Sequence, residues 1–380
     1  MPDRVRHDTR KPCTLFGIIL TSIVSLVHIY VFWRIASVPF VGRSAPRKFV
    51  FGTGLFLWAV FLASRIVAHG GTSAWTWVLE FAGMTWMGIL FLLFVSLLVA
   101  DVVSGFGYLM PRLSGKLKGG GLVIGLMLSV IALIQGMRPP VVNDYEVHLR
   151  GLPAAMDGTV LVALSDLHVG SLIGETWLAA RVRDIGKLNP DMIVLLGDIF
   201  EGHGQPVQNA LPILRRLSAP LGVWAVAGNH EFYGGLGESI SLISQAGFEV
   251  LHNRWTEVRP GFIVAGIDDL TADYRAGGGN DFIARALAGH PSGAVVLLSH
   301  SPLQTDRAAA AGANVMLSGH THGGQIWPFG YLVRRAYPFL EGRFQVDGMT
   351  LLVTRGAGTW GPRMRLWHPG EILRITLRAE

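Results

Sequence analysis

The chain has 380 residues, 50% of them hydrophobic and only 15% charged, with a formal net charge of +6 and a mean hydropathy of +0.42. That composition excludes an ordinary soluble protein and points to a membrane portion, while the length allows two or three domains. A single cysteine, Cys13, excludes an intrachain disulfide and a cysteine-based metal site.

The apolar excess lies in region 1–137, where four runs approach spanning length: 13–33, 49–67, 81–100 and 121–137. A span needs about 20 apolar residues. Arg65 sits near the end of the second run, where it can snorkel, and Trp33, Trp75, Trp77 and Tyr108 lie where aromatic belts form. The basic start and apolar body of the first run also fit a signal peptide. Three further runs, and no clean small-residue cleavage site, favour a multi-pass anchor in the lipid bilayer. Four spans put both termini on one side. The Lys and Arg count does not choose that side: Arg34, Arg43, Arg47, Lys48, Arg112, Lys116 and Lys118 are matched by Arg4, Arg6, Arg10, Lys11, Arg65, Arg138 and Arg150. The flank "RLSGKLKGG" before the last run tips the balance toward an extracytoplasmic C-terminal domain. His28 and Glu80 are polar residues in or beside spans, both near ends that water reaches. No repeat or charge series suggests a transport path. The basic residues gather beside apolar runs, so they read as juxtamembrane positives and make nucleic acid an unfavoured partner.

After a proline-bearing linker, 138–156, the pattern changes over 157–380 to short β-branched runs separated by helical stretches. Strands are expected at 159–165, 191–197, 222–228, 261–266, 294–299, 314–319, 349–354 and 371–377, and helices at 175–188, 206–217, 236–246, 280–289 and 303–311. The alternation argues an α/β domain with buried sheets. Five of the first six strands are closed by polar clusters: "SDLH", "GD", "GNHEF", "SHSP" and "GHTHGG". The run 261–266 is the exception. Strand carboxyl ends form the ligand crevice of open α/β sheets, so these clusters should converge.

Converging there would be Asp166, His168, Asp198, Asn229, His230, His300, His320 and His322. Carboxylate, imidazole and amide oxygen without thiolate suit Mn²⁺, Fe²⁺ or Zn²⁺. The ligands exceed the need of one ion, and two ions would use them all, as in phosphoryl-transfer sites. His320 and His322 would share one side of an extended segment, with Thr321 pointing away and Gly319, Gly323 and Gly324 easing the turn.

The stretches "DLH" (166–168), "GD" (197–198), "GNHE" (228–231), "SH" (299–300) and "GHTH" (319–322) resemble the calcineurin-like metallophosphoesterase superfamily. "LSDLH", "GNHEFY" and "GHTHGGQI", with the four spans, resemble its membrane-anchored branch. The resemblance implies a four-layer αββα sandwich preceded by an all-α transmembrane region. It implies two divalent metal ions, with Mn the first choice over Fe or Zn. Asp166, His168, Asp198 and His322 would hold one ion; Asp198 as bridge, Asn229, His300 and His320 would hold the other. His230 would contact the phosphate and assist the leaving group. Glu231 is expected to cap or brace His230 rather than bind metal, and His203 is an unassigned loop histidine. Glu201 has no firm role. Arg355, Arg363 and Arg365 are equally readable as a second phosphate site or as surface residues.

The expected function is a membrane-anchored dinuclear-metal phosphoesterase cleaving phosphodiester or pyrophosphate bonds by metal-bridged hydroxide attack, with Asp198 and His230 catalytic and a lipid-linked substrate as one candidate. Two other readings compete: a membrane sensor or scaffold with a vestigial metal site, and a metal-dependent nuclease. The sequence leaves the oligomeric state open.

Overall fold

The computed structural model describes residues 10–201, 205–275, 277–279 and 281–380. His203, Arg4 and Arg6 lie outside the described residues. The chain forms two compact units. One comprises the helices up to Ile134, without Gly70–Thr72, and the short segment Gly361–Met364; the other is chiefly Gln135–Trp360 and Arg365–Glu380.

The first unit runs α1 (Arg10–Ile35), α2 (Pro39–Ser44), α3 (Arg47–Ala63), a single π-helical turn Ser64–Ala68, α4 (Ala74–Val103) and α5 (Pro111–Met137). Four stretches are long and apolar enough to cross a membrane: Gly17–Ile35, Arg47–Ala68, Ala74–Val103 and Pro111–Met137. Ser73 caps α4 by accepting the Thr76 N–H at 3.4 Å. Pro111 opens α5, where its missing N–H costs nothing, so the basic stretch read as a flank is already helical. His28 and Glu80, the polar residues read in or beside spans, each find a partner. His28 Nε2 bonds the Gly54 carbonyl at 2.9 Å, and Glu80 bonds His69 Nδ1 at 2.9 Å. A charge not singled out in the sequence, Asp101, is fully buried, accepts the Tyr30 hydroxyl at 2.5 Å and forms an ion pair with Arg34 at 2.5 Å, tying α1 to α4.

The second unit orders its elements as β1 (Val141–Leu149), β2 (Val160–Leu164), α6 (Glu175–Gly186), β3 (Met192–Leu195), α7 (Gln205–Leu214), β4 (Val223–Ala225), α8 (Asn229–Gly234) and α9 (Leu236–Gln245). It continues through β5 (Glu249–Val250), β6 (Arg254–Arg259), β7 (Phe262–Gly266), α10 (Leu270–Arg275), α11 (Phe282–Leu287), β8 (Ala294–Leu298) and α12 (Thr305–Ala310). It closes with β9 (Val315–Ser318), α13 (Gly330–Ala336), β10 (Gly342–Val346), β11 (Met349–Val353) and β12 (Glu371–Ala379). Two six-stranded sheets result, in the orders β1-β12-β2-β3-β4-β5 and β10-β11-β9-β8-β7-β6.

Each apolar run becomes a strand because both its faces are covered. Leu161, Ala163, Met192 and Val194 of the first sheet face Phe262, Val264, Val296 and Leu317 of the second, making the inter-sheet core. The outer face of the first sheet packs Val162, Ile193 and Leu195 on α6, α7 and α9 through Leu178, Leu211 and Ile243. The outer face of the second packs Ile263, Val295 and Met316 on α11 and α12 through Phe282, Ile283 and Ala308. The layers are therefore helix, sheet, sheet, helix, the four-layer sandwich expected.

The four strands not anticipated are all polar edge elements. β1 lies inside the segment read as a linker. It pairs in parallel with β12 from Val141↔Glu371 to Leu149↔Ala379. Asp144, Glu146 and His148 are exposed while Val147 and Leu149 are buried, a period-2 pattern that a search for continuous apolar runs passes over.

Candidate metal centre

The loops after β2, β3, β4, β8 and β9 all open at the same edge of the sandwich, because those strands run parallel within their sheets. Backbone bonds lock the loops together. The Asp166 N–H donates to the Gly197 carbonyl at 3.0 Å, the His168 N–H to the Asp198 carbonyl at 3.0 Å, and the Gly319 N–H to the His300 carbonyl at 2.8 Å. All eight residues singled out in the sequence meet there, and all but His230 and His320 are buried.

Two groups of donor atoms face each other across Asp198. In the first, His168 Nε2 lies 3.2 Å from His322 Nε2, and His322 Nε2 lies 3.2 Å from Asp166 Oδ1. In the second, His300 Nε2 lies 3.2 Å from Asp198 Oδ2, 3.1 Å from Asn229 Oδ1 and 3.2 Å from His320 Nδ1. Asp198 Oδ2 is 3.9 Å from His168 Nε2, so this carboxylate belongs to both. Three metal-sized groupings follow: Asp166, His168 and His322; Asp198, His300 and His320; and His168, Asp198 and His230.

The outer atoms of these side chains fix which nitrogen points inward. His168 Nδ1 donates to Glu201 at 2.7 Å and His300 Nδ1 donates to the Leu196 carbonyl at 2.7 Å, which leaves each Nε2 with a bare lone pair. His320 Nε2 bonds the Tyr337 hydroxyl at 2.8 Å. Lone pairs therefore face lone pairs, and Asp166 Oδ1 is buried with no hydrogen-bond partner. A buried acceptor cluster of this kind is costly by itself and suits a divalent cation, so the residues fit the metal the donor chemistry implies.

The carboxylates set the charge balance: against burial, Asp198 raises His300 well above the ordinary imidazole value, so a cation binding at its Nε2 would displace a proton. Burial raises Asp166 and Asp198, yet the imidazoles overcome it: His322 and His300 lower Asp166, and His300 and His230 lower Asp198 far below the usual carboxylate range. Burial brings His322 down to about 3 against the pull of Asp166, so it offers a neutral donor atom.

His230 stands apart from the two groups. Its backbone N–H donates to Asp198 Oδ1 at 2.9 Å, and its ring Nδ1 lies 2.9 Å from Glu201 Oε2. Against burial, Glu201 and Asp198 raise it to about 10. A protonated imidazole is thus held beside the acceptor cluster with Nε2 left to address a ligand. Glu201, without a firm role in the sequence, joins His168 to His230.

Other sequence expectations hold in part or change. Glu231 meets the capping half of its expectation, accepting the Gly228 N–H at the start of α8, the helix that carries His230, and it also holds the neighbouring loop. Its Oε2 accepts the N–H groups of Asp198 and Gly228, each at 2.8 Å, and its Oε1 those of Ile199 at 2.9 Å and Phe200 at 3.1 Å. The segment 320–322 is a turn rather than extended. His320 (φ 69°) and His322 (φ 52°) are left-handed, Thr321 is helical, and its Oγ1 donates to the Leu340 carbonyl at 2.6 Å. Gly319 is small for the steric reason expected: a Cβ there would collide with Ser165 and Asp166. Arg365 is no phosphate site, being fully buried and spent on the carbonyls of His322, Arg355, Gly358 and His368. Arg355 is taken by Glu371 at 2.7 Å, and Arg363 is buried.

Sequence reading missed two neighbours, Asp269 and Tyr337. The run 261–266 does close on a polar pair, Asp268 and Asp269. Asp269 is buried, accepts the Ala272 N–H at 2.8 Å, and its charge acts on His300, His320 and Tyr337. The "DD" after that strand was the available signal.

Comparison with known proteins agrees with this geometry. The calcineurin-like phosphoesterase family matches residues 159–324. A "transmembrane protein with metallophosphoesterase domain" from Bos taurus is 33% identical over 68% of this chain and 61% of its own length. Its namesake from Danio rerio is 34% identical over 68% of this chain and 62% of its own length. The chain thus spans about three-fifths of these two relatives. An uncharacterized metallophosphoesterase from Aquifex aeolicus is 31% identical over 63% of this chain and 92% of its own length. With that coverage, the chain belongs to the calcineurin-like metallophosphoesterase family, its metal-dependent phosphoesterase domain following four apolar helices.

Proposed function

We propose that this chain is a multi-pass membrane phosphoesterase with an extracytoplasmic catalytic domain that cleaves phosphodiester or pyrophosphate bonds at a two-metal site, with a lipid-linked molecule as substrate. The observation that carries the reading is the pair of acceptor groups on either side of Asp198, each ending in imidazole nitrogens 3.2 Å apart. Asp166, His168, Asp198 and His322 would hold one cation; Asp198, Asn229, His300 and His320 would hold the other. The borderline donor set favours Mn²⁺, with Fe²⁺ or Zn²⁺ as alternatives. Bound there, the cations would neutralise phosphate charge and acidify the attacking water.

The chain's own residues do the rest. Asn229 contributes an oxygen without charge, keeping the site attractive to an anion. Glu201 holds the His230 Nδ1 proton, so the ring presents Nε2–H to the leaving oxygen and supplies its proton. Glu231 holds the backbone that carries Asp198.

The purified full chain with Mn²⁺ should hydrolyse bis(p-nitrophenyl) phosphate, and Asp198→Asn and His230→Ala should each lower kcat by about 10²–10⁴. Variants as active as wild type would sink the mechanism. A lipid-extract screen comparing wild type with Asp198→Asn tests the substrate class by loss of phosphate-linked species.

A further inference from the structure

α13 and its surroundings expose large apolar side chains that the core of the domain does not use. Tyr331 is 66% exposed, Leu332 62%, Trp367 53% and Phe329 43%. The Trp367 ring meets the ring of Trp327, two residues before Phe329, with centroids 5.0 Å apart. Arg334 and Arg335 follow in the last turn of α13, both exposed. The segment 327–340 holds no acidic residue.

This surface adjoins the metal centre. Gly324 packs directly on Gly330 at the start of α13, since a Cβ on Gly324 would collide with Gly330. Tyr337, one residue beyond α13, bonds His320. A contiguous exposed apolar surface rimmed by charge marks an interaction site rather than ordinary surface.

Its composition selects the partner. Amphipathic rings with an aliphatic residue and a pair of arginines match the interfacial zone of an anionic bilayer, where aromatics sit at headgroup level and arginines meet lipid phosphates. The same chain carries four helices able to cross a membrane. We propose that α13, with Phe329 and Trp367, is a membrane-docking surface that seats the mouth of the metal centre on anionic lipid headgroups. The docking stands independently of the catalytic reading. Its consequence, preference for a phosphoester embedded in lipid, rests on that reading.

The lone cysteine makes a direct test simple. In a Cys13→Ser background, the full chain carrying Leu332→Cys is labelled with an environment-sensitive fluorophore and reconstituted in vesicles of phosphatidylcholine and phosphatidylglycerol with doxyl-labelled lipid. Asp306→Cys, exposed on α12, serves as the aqueous reference. The Leu332 probe should be blue-shifted and quenched by doxyl lipid, and the Asp306 probe by aqueous iodide. Equal behaviour of the two probes overturns docking, as does a blue shift without lipid quenching, which indicates a protein partner. In a second arm, Leu332→Asp combined with Arg334→Glu and Arg335→Glu should lower hydrolysis of a vesicle-embedded phosphodiester about tenfold and leave bis(p-nitrophenyl) phosphate hydrolysis unchanged. Equal losses on both substrates overturn the role in substrate access. Wild type inactive on both would refute the catalytic reading while the probes still decide docking.

Discussion

Glu231→Gln keeps the side-chain volume and changes one oxygen into an amide donor. In the native chain each carboxylate oxygen accepts two backbone N–H groups, and the residue is 1% exposed. Whichever way the amide turns, its NH₂ faces two donors, and two buried N–H groups lose their acceptor. Each such loss costs about 1–3 kcal/mol, so the substitution should cost about 2–6 kcal/mol. For a domain of this size a loss of 1 kcal/mol lowers Tm by about 2–4 °C, giving a fall of roughly 4–24 °C. The assay is thermal unfolding of the purified full chain in detergent, followed by tryptophan fluorescence, with bound metal measured in parallel. The metal content should fall as well, because either freed pair includes one N–H beside Asp198: its own on Oε2, or that of Ile199 on Oε1. A Tm within about 2 °C of wild type, with metal retained, would refute the bracing role.

Three further substitutions probe the site from other sides. Glu201→Gln removes the charge that holds His230 and should lower kcat by about 10–100-fold, with little change in KM; an unchanged kcat would show that His230 needs no partner. Arg365→Met deletes the guanidinium that ties the loops around His322 to one another, and the purified protein should bind less metal, read by mass spectrometry; full occupancy would contradict that role. Gly319→Ala drives a methyl into Ser165 and Asp166, so activity should fall at least about tenfold as Asp166 is displaced. Wild-type activity there would mean the loop yields freely.

The sequence carried the fold wherever a strand is buried on both faces. β2, β3, β7, β8 and β9 are nearly continuous apolar runs, and each closes on the polar cluster that reaches the metal centre. β1 and β10 were illegible for a physical reason: one side of each strand meets water, so half its residues are polar and the apolar run breaks up. The inward-facing ligands were legible because metal chemistry restricts residue type. What holds those ligands was not. Of the four N–H groups on Glu231 only that of Gly228, three residues back, leaves a capping spacing in the chain; the other three, and the carbonyls on Arg365, leave none. Tyr337 reaches His320 across 17 residues, a distance no local motif spans.

The backbone itself argues that the site is built for a task. Asp166, His168, Asp198, His320 and His322 have φ of 54°, 47°, 50°, 69° and 52°, all left-handed. Left-handed backbone costs an L-residue about 1–2 kcal/mol, so these five positions together store roughly 5–10 kcal/mol. That is comparable to the whole net stability of a typical domain, about 5–15 kcal/mol. Glycine would relieve the strain at every one of the five, as it does at Gly197, Gly323 and Gly324 nearby. Glycine offers no carboxylate and no imidazole. The strain is held by bonds with no other evident purpose: the Asp166 and His168 N–H groups on the neighbouring loop, the four N–H groups on Glu231, the carbonyls on Arg365. These braces are arranged around side chains whose lone pairs converge, and a convergence that costs this much persists because something bound there repays it.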